Sequence, residues 1–399
     1  MSTGLLHEVL RVVDGAAAHR VRAGFGPHTV VVAANTPQHL AWLEQYTAPQ
    51  YRFDEAPEDE PAQLVSHEDP SFTASVRRAL DALPGRRATV YQSYPVHEVD
   101  LGDGWLAWSH VDRPSVILAR PGDRCVTLGS PADPESKAEP IRCLREMFTK
   151  NVERDGHLVF HTGAVVVDGH GLVFCGEKGA GKSTTVISLL EAGAEYLSND
   201  RSYVGRSQDG AWTALPWPTT AAIGMGTLYH FPQLRTWMER GGGWGYEPQT
   251  RLGPDARHEL LRTRSPGELA AMPDKLELTA EELAGSLGAR VAPHAALSCV
   301  VLPRLDLGCD EPEVRPATRQ EAAAVLRSQC FTPSDDHYPD WLRWRTASEM
   351  DLRRAADDLV DRLVHEVPLA TMRFGDLRGE RGRRALDLLL ELASPVPVP

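Results

Sequence analysis

Residues 176–183 read Gly176-Glu177-Lys178-Gly179-Ala180-Gly181-Lys182-Ser183 and fit the pattern G-x-x-x-x-G-K-[ST] without a mismatch. An apolar segment precedes this octapeptide, and a segment with helical character, 183–192, follows it. In such a strand–loop–helix unit the glycines let backbone N–H groups turn inward, and the helix N-terminus adds a partial positive charge. The sequence therefore predicts a loop that binds phosphate groups within an α/β fold.

Different residues of this loop are expected to contact different parts of a nucleoside triphosphate and its metal ion. Lys182 would bridge the β- and γ-phosphates of ATP, and the hydroxyl of Ser183 would ligate Mg²⁺. The predicted nucleotide-binding residues are Gly176, Glu177, Lys178, Gly179, Ala180, Gly181, Lys182, Ser183 and Thr184. The loop predicts ATP and Mg²⁺, but it leaves open whether water, a protein hydroxyl, a small molecule or nothing accepts the phosphoryl group.

Two candidate catalytic residues flank the loop. Hydrophobic strands are predicted at 158–167 and 171–175, with Asp168-Gly169 as a hairpin turn between them, and His161 lies in the first strand. A histidine in this position is more often structural than catalytic. After the helix, a short strand ends at Asp200, which is either a base near the phosphates or a turn cap.

The length and pattern of the chain predict three parts. We expect a mixed α/β domain of unknown role at 1–153, a catalytic domain with the loop at 154–307, and a helical or α/β extension at 308–399. A helix is predicted from about 135 to 152, closed by Asp155-Gly156, and another from 350 to 366.

Charge and composition exclude several classes of partner. The 42 basic and 55 acidic residues leave a net charge of −13, which argues against nucleic-acid binding. The six cysteines lack the spacing of a zinc site or a disulfide framework. No stretch has the roughly 20 apolar residues that span a bilayer. We therefore expect a cytoplasmic protein with no membrane or nucleic-acid partner, and a homo-oligomer remains open.

The segment from Phe160 to Val204 resembles the catalytic domain of HPr kinase/phosphorylase and the wider group of HPr-kinase-like P-loop kinases. In that family a histidine opens a strand fifteen residues before the first loop glycine, and an Asp-Asp-Arg has its second Asp twenty-four residues after it. His161, Gly176 and Asn199-Asp200-Arg201 fall on these positions. The resemblance, which extends to about Arg304, implies a P-loop HPr-kinase-like/PEP-carboxykinase-like core.

The resemblance also implies roles for individual residues. Asp200 would deprotonate the acceptor hydroxyl and contact the metal with Ser183, while His161 would support Asp200 and Lys182 would hold the phosphates. Arg251, in Arg251-Leu252-Gly253, matches an Arg-Leu-Gly of the family and is a further catalytic candidate. Gly224-Met225-Gly226 resembles a Gly-Leu-Gly of the family, and Lys275 lies in a segment similar to a phosphate-side loop of related kinases.

Two positions depart from the family pattern. The first Asp of its signature is Asn199 here, and its metal-binding Glu would fall near Ala221. The preferred function is an ATP- and Mg²⁺-dependent kinase that phosphorylates a hydroxyl of a small biosynthetic intermediate or a peptide serine. Natural-product biosynthesis is the setting that this function suggests. The alternatives are a nucleotide-binding regulatory module without efficient transfer and a true HPr serine kinase/phosphorylase.

Overall fold

The computed structural model describes residues 2–91, 94–239, 252–333 and 340–393. The chain forms two compact units, each built from discontinuous sequence. The first contains the described residues of Met1–Asn151 and Ser334–Ala347, and the second those of Val152–Pro333 and Ser348–Pro399. Both units are mixed α/β structures with a large sheet. Among the described helices, none combines the length and the apolar character needed to cross a bilayer.

The first unit is organised by a nine-stranded mixed sheet. Its elements are α1 (Ser2–Ala16), β1 (His19–Phe25), β2 (His28–Ala34), α2 (Pro37–Thr47), β3 (Arg52–Glu55), β4 (Leu64–Glu68), α3 (Pro70–Asp81), β5 (Arg87–Tyr91), β6 (Tyr94–Gly102), β7 (Trp105–His110), β8 (Val116–Arg120), β9 (Arg124–Gly129), α4 (Pro134–Lys137) and α5 (Glu139–Arg154). The strand order is β3-β1-β2-β4-β9-β8-β7-β6-β5. Helices α1 and α3 pack on it through apolar side chains such as Leu6, Val9 and Val76.

A charged cluster is buried at the start of α5. The carboxylate of Glu139 accepts hydrogen bonds from Tyr91 Oη and Arg142 Nη1, each at 2.9 Å, and His110 Nε2 lies 3.3 Å from it. Burial acts to raise the pKa of Glu139, but Arg142, His110 and Tyr91 together lower it to about 2. The carboxylate is therefore ionised and held between strand β7 and helix α5.

The second unit has a nine-stranded sheet of its own and a separate two-stranded sheet. Its elements are β10 (Leu158–Phe160), β11 (Thr162–Val167), β12 (His170–Cys175), α6 (Lys182–Glu191), β13 (Glu195–Ser198), β14 (Ser202–Arg206), β15 (Trp212–Pro216), β16 (Ala221–Gly224), α7 (Met225–His230), α8 (Pro232–Glu239), α9 (Pro254–Thr263), α10 (Pro266–Ala270), β17 (Lys275–Leu278), α11 (Ala280–Ser286), β18 (Ala295–Leu305), β19 (Glu313–Pro316), α12 (Arg319–Ser328), α13 (Glu349–Glu366), β20 (Leu369–Phe374) and α14 (Glu380–Ala393). The main path of the large sheet is β10-β14-β15-β18-β12-β11-β13, with β20 pairing β18 and β19.

Alternating side chains of the central strands pack against helices on both faces of this sheet. Leu172 and Phe174 of β12 belong to a cluster that includes residues of α6 and α14. Val173 and Cys175 point to the opposite face, in a cluster with residues of α12 and α13. Because both faces are covered, the central strands are apolar along most of their length.

The topology gathers several strand ends at one edge of the sheet. Strands β12, β18 and β20 run parallel, and β13 runs in the same direction because both β13 and β12 pair antiparallel to β11. The carboxyl ends of these four strands therefore meet at the edge where β11 begins. The loop 176–181, Asp200 and His161 all lie at this edge.

The predicted hairpin before the loop is confirmed, and so are the helix after it and the helix at 350–366. Asp168 and Gly169 both have positive φ, 50° and 82°, as a tight turn between antiparallel strands requires. The prediction of one strand at 158–167 was wrong, because the chain changes partners at His161. Strand β10 pairs β14, whereas β11 pairs β12 and β13. The predicted helix 135–152 is divided into α4 and α5.

Candidate functional site

The loop between β12 and α6 is shaped by two glycines with left-handed backbone. Gly179 and Gly181 have φ of +88° and +95°, and Gly181 is the N-cap of α6. A Cβ on Gly181 would lie 2.8 Å from Cζ of Phe374, at the end of β20. Leu305 N, at the end of β18, donates to Ala180 O at 3.2 Å. Neighbouring strands thus hold the loop in place.

Lys182 is the first residue of α6, and its side chain folds back over the loop. Its Nζ donates to Gly176 O at 2.6 Å and to Glu177 O at 3.1 Å. The residue is 8% exposed, and burial lowers the pKa of its amine, although Cys175 and Asp200 act in the opposite direction. The two carbonyl oxygens hold the amine inside the loop.

The remaining predicted loop residues differ in exposure. Gly176 is buried, residues 177–179 are exposed, and Ala180, Gly181, Ser183 and Thr184 are half-buried. Ser183 lies in the first turn of α6, where backbone N–H groups have no partner within the helix. The arrangement presents exposed main chain, a hydroxyl and a cation on one short segment, which are the groups that recognise a polyphosphate.

Asp200 follows β13 in a left-handed conformation, with φ of +82°. The turn is closed by Ser198, whose Oγ donates to Arg201 O and accepts from Trp217 N at 3.2 Å. The side chain of Asp200 is 55% exposed, so its carboxylate is accessible to a ligand. The neighbouring Asn199 is buried, and its Oδ1 has no hydrogen-bond partner among the described residues.

His161 lies between strands β10 and β11, beside Asp200. Its Nε2 is 3.7 Å from Asp200 Oδ1, and its Nδ1 is 2.8 Å from Gln329 Oε1. The ring stacks on Phe331, with centroids 5.5 Å apart and an interplanar angle of 15°. Burial, followed by the charge of Lys182, lowers the pKa of His161, whereas Asp200 and Gln329 raise it. The imidazole is thus biased toward its neutral form.

Arg201 places a second cation next to the carboxylate. Its Nε is 3.8 Å from Asp200 Oδ2, and its guanidinium carbon lies 5.3 Å from the ring centroid of Trp217 and 5.1 Å from that of Phe331. Such contacts stabilise a cation and restrict its orientation. The aromatic rings therefore hold the guanidinium group beside Asp200.

The predicted residues are brought together to different degrees. Lys182, Asp200 and His161 lie within electrostatic reach of one another, since the charge of Asp200 partly offsets the lowering of the Lys182 pKa by burial, and the charge of Lys182 lowers the pKa of His161. Arg251 lies outside the described residues. Lys275 pairs with Gly224 in the two-stranded sheet of β16 and β17, where Ala221 is buried.

Gln329 and Phe331 were not predicted from the sequence. They follow α12, more than 160 residues from His161, and an isolated bridge between Phe160 and Cys330 brings them to it. No local motif marks the segment 328–331, so only the long-range pairing of strands could have revealed it.

No family model matches this chain, and no curated protein matches it.

Proposed function

We propose that this chain is an ATP- and Mg²⁺-dependent kinase that transfers the γ-phosphoryl group to a hydroxyl of a small molecule or a peptide serine. The core would be of the HPr-kinase-like P-loop type. The observation that carries the proposal is the position of Asp200 and His161 at the sheet edge that also carries Lys182. The resemblance of 160–204 to HPr-kinase-like kinases supports it.

The chemistry follows from the groups at this edge. The acceptor oxygen forms a bond to the γ-phosphorus while the bond to the β–γ bridging oxygen breaks, and ADP leaves. The hydroxyl proton passes to the carboxylate of Asp200, which is accessible and close to His161. Lys182 would exchange its two carbonyl partners for phosphate oxygens and stabilise the charge that develops on them.

The residues of the loop fit a magnesium ion that is held mainly by phosphates. Among the described residues, no three His, Cys, Asp or Glu side chains converge on a possible metal site. Mg²⁺ in kinases commonly takes only one or two protein ligands together with phosphates and water. Ser183 and Asp200 are the residues that would hold it, and when bound it neutralises phosphate charge.

The test is ATP turnover with a pool of hydroxyl acceptors, comparing wild type with Asp200→Asn. Asparagine tolerates left-handed backbone, so this change removes the base with little strain. We expect turnover to fall by about 10²- to 10⁴-fold, as is usual when a general base is lost. Asp168→Asn is the matched control, because Asp168 also has positive φ but lies at the β11–β12 turn.

Two outcomes of this assay would contradict the assignment. Phosphoryl transfer that survives Asp200→Asn would show that Asp200 is not the base. An equal loss in Asp168→Asn would attribute the effect to the backbone rather than to the carboxylate. Mass spectrometry of the product identifies the acceptor that was used.

A nucleotide-binding regulatory module is the second candidate, and one observation favours it. Asn199 and Ala221 stand where HPr-kinase-like enzymes have an Asp and a metal-binding Glu, so fewer carboxylates surround the loop. Such a module would bind ATP tightly and give no phosphorylated product with any acceptor in the pool. Nucleotide binding without transfer would therefore favour regulation over catalysis.

A further inference from the structure

The side chain of Gln329 contacts His161 at the ring nitrogen that does not face Asp200. Gln329 Oε1 lies 2.8 Å from Nδ1, and the backbone oxygen of Gln329 accepts from His161 N at 2.8 Å. Ser328 orients the amide, because its Oγ donates to Val325 O at 2.8 Å and accepts from Gln329 Nε2 at 3.2 Å. The amide oxygen, which can only accept, is therefore the atom that faces the ring.

We infer that Gln329 is a positioning residue that fixes the neutral ring of His161 with its proton on Nδ1. Nδ1 donates to Gln329 Oε1, which leaves an unshared electron pair on Nε2. None of the described residues hydrogen-bonds Nε2, and Asp200 Oδ1 lies 3.7 Å away. Two acceptors cannot bond each other, which accounts for a separation longer than a hydrogen bond.

This tautomer determines what can enter between the two residues. An oxygen that bonds either Nε2 or Oδ1 must donate a proton to it, because both atoms accept; a group with one O–H can donate that proton to Oδ1 while Nε2 supplies no competing proton. An alcohol meets this requirement, whereas an ionised phosphate does not. This step rests on the proposed function, since it identifies the entering group as the acceptor's hydroxyl. With the opposite tautomer, Nε2–H would bond Asp200 and occupy the base.

The proton can be located by NMR on the full chain without nucleotide. Long-range ¹H–¹⁵N spectra of ¹⁵N-histidine-labelled protein distinguish the two tautomers, and His161→Gln assigns the signals. We expect the proton on Nδ1 in wild type and in Gln329→Glu, which keeps an acceptor oxygen; because a carboxylate raises the pKa of the ring, the spectra of both are recorded at a pH high enough to keep the ring neutral. In Gln329→Leu we expect it on Nε2, where Asp200 accepts it. Gln50→Leu, a buried glutamine of the first unit, should leave the signals unchanged.

Two results would overturn the inference. One is a wild-type ring with its proton on Nε2, and the other is a folded Gln329→Leu protein that keeps the wild-type tautomer. If circular dichroism shows that Gln329→Leu does not fold, the spectra of wild type and Gln329→Glu still test the inference. It requires the proton on Nδ1 in both proteins.

ATP turnover separates this inference from the proposed function. We expect Gln329→Leu to lower kcat at least about tenfold, since a wrong tautomer disables a catalytic histidine, and to leave ATP affinity within about twofold. Gln329→Glu should restore much of the rate. A wild-type chain that transfers no phosphoryl group would contradict the proposed function alone, because the tautomer is read without nucleotide.

Discussion

Lys182 has two sets of oxygen partners available to it, the loop carbonyls that it contacts now and the phosphates of a nucleotide. We expect Lys182→Ala to weaken ATP binding about tenfold to a hundredfold, because a hydrogen bond to a charged group contributes about 1.5–3 kcal/mol. The rise in Tm that Mg²⁺-ATP produces in wild type should then be lost at moderate nucleotide concentration.

Lys178→Ala is the control for this substitution, since it removes only an exposed lysine side chain from the same loop and leaves the backbone N–H that would contact phosphate. It should keep most of the nucleotide-dependent rise in Tm. A rise that persists in Lys182→Ala, or is lost equally in both variants, would show that the ATP site is elsewhere or that only the loop's net charge matters.

Single residues of the site were predictable from sequence where they belong to a short segment. The loop and Asp200 lie within 25 residues of one another, and the resemblance of this segment to HPr-kinase-like kinases proposed them together. The same resemblance proposed His161, but not its surroundings. Gln329 and Phe331 contact His161 because Phe160 forms a β-bridge with Cys330. No sequence pattern near residue 330 predicts that bridge.

At the scale of the element, the turn from β12 into α6 depends on close approach to β20. We expect Gly181→Ala to destabilise the protein by about 2–4 kcal/mol. Left-handed backbone costs a non-glycine residue about 1–2 kcal/mol, and overlap with Phe374, 2.8 Å from the added Cβ, adds about 1–2 kcal/mol more. Urea unfolding measures the loss.

Gly179→Ala separates the two contributions. Gly179 has nearly the same φ, but a Cβ there meets no atom within 4 Å. Gly179→Ala should therefore lose only the roughly 1–2 kcal/mol that left-handed backbone costs a non-glycine residue. Equal losses of stability in the two variants would show that Phe374 moves aside with no loss of free energy. Close packing against Phe374 would then not be what holds the loop.

Elements were predicted best where local chemistry determines them. The Asp168-Gly169 turn and the helix after the loop follow from neighbouring residues, and the structure contains both. The interruption at His161 was missed because the segment 158–167 is mostly apolar on both sides of His161 and Thr162, and periodicity cannot show that its two halves pair with different strands. The order of strands in the sheet depends on contacts between distant segments, which the sequence pattern does not encode locally.

At the scale of the whole molecule, the buried cluster around Glu139 makes the free energy of unfolding depend on pH. The pKa of Glu139 is about 2 in the folded chain, below its ordinary value of 4.5, so its contribution is present above pH 4.5. That contribution should disappear as the pH falls from 4.5 toward 2. Glu139→Gln should cost about 3–5 kcal/mol at pH 7, because a neutral amide then replaces the buried carboxylate that accepts from Arg142 and Tyr91.

Hydrogen exchange of strands β5–β9, measured by mass spectrometry at pH 7 and at about pH 2.5, reports this loss within the first unit, because most of the contribution disappears only near the folded-state pKa. Glu135→Gln is the control, since Glu135 also pairs with Arg142 but is more exposed, at 21%. It should cost less than Glu139→Gln. If protection in Glu139→Gln matched wild type at pH 7, the cluster would not stabilise the unit.

The pairing of β20 with β18 has a practical consequence for anyone who subclones this gene. Strand β20 joins residues 369–374 to residues 300–305 in the middle of the large sheet, and Phe374 abuts the phosphate loop. An expression clone that stops at 307 would omit that strand, together with Gln329. A useful fragment of the second unit must therefore include β20, and also α14, which packs on the same core as α6, although the motifs end far upstream.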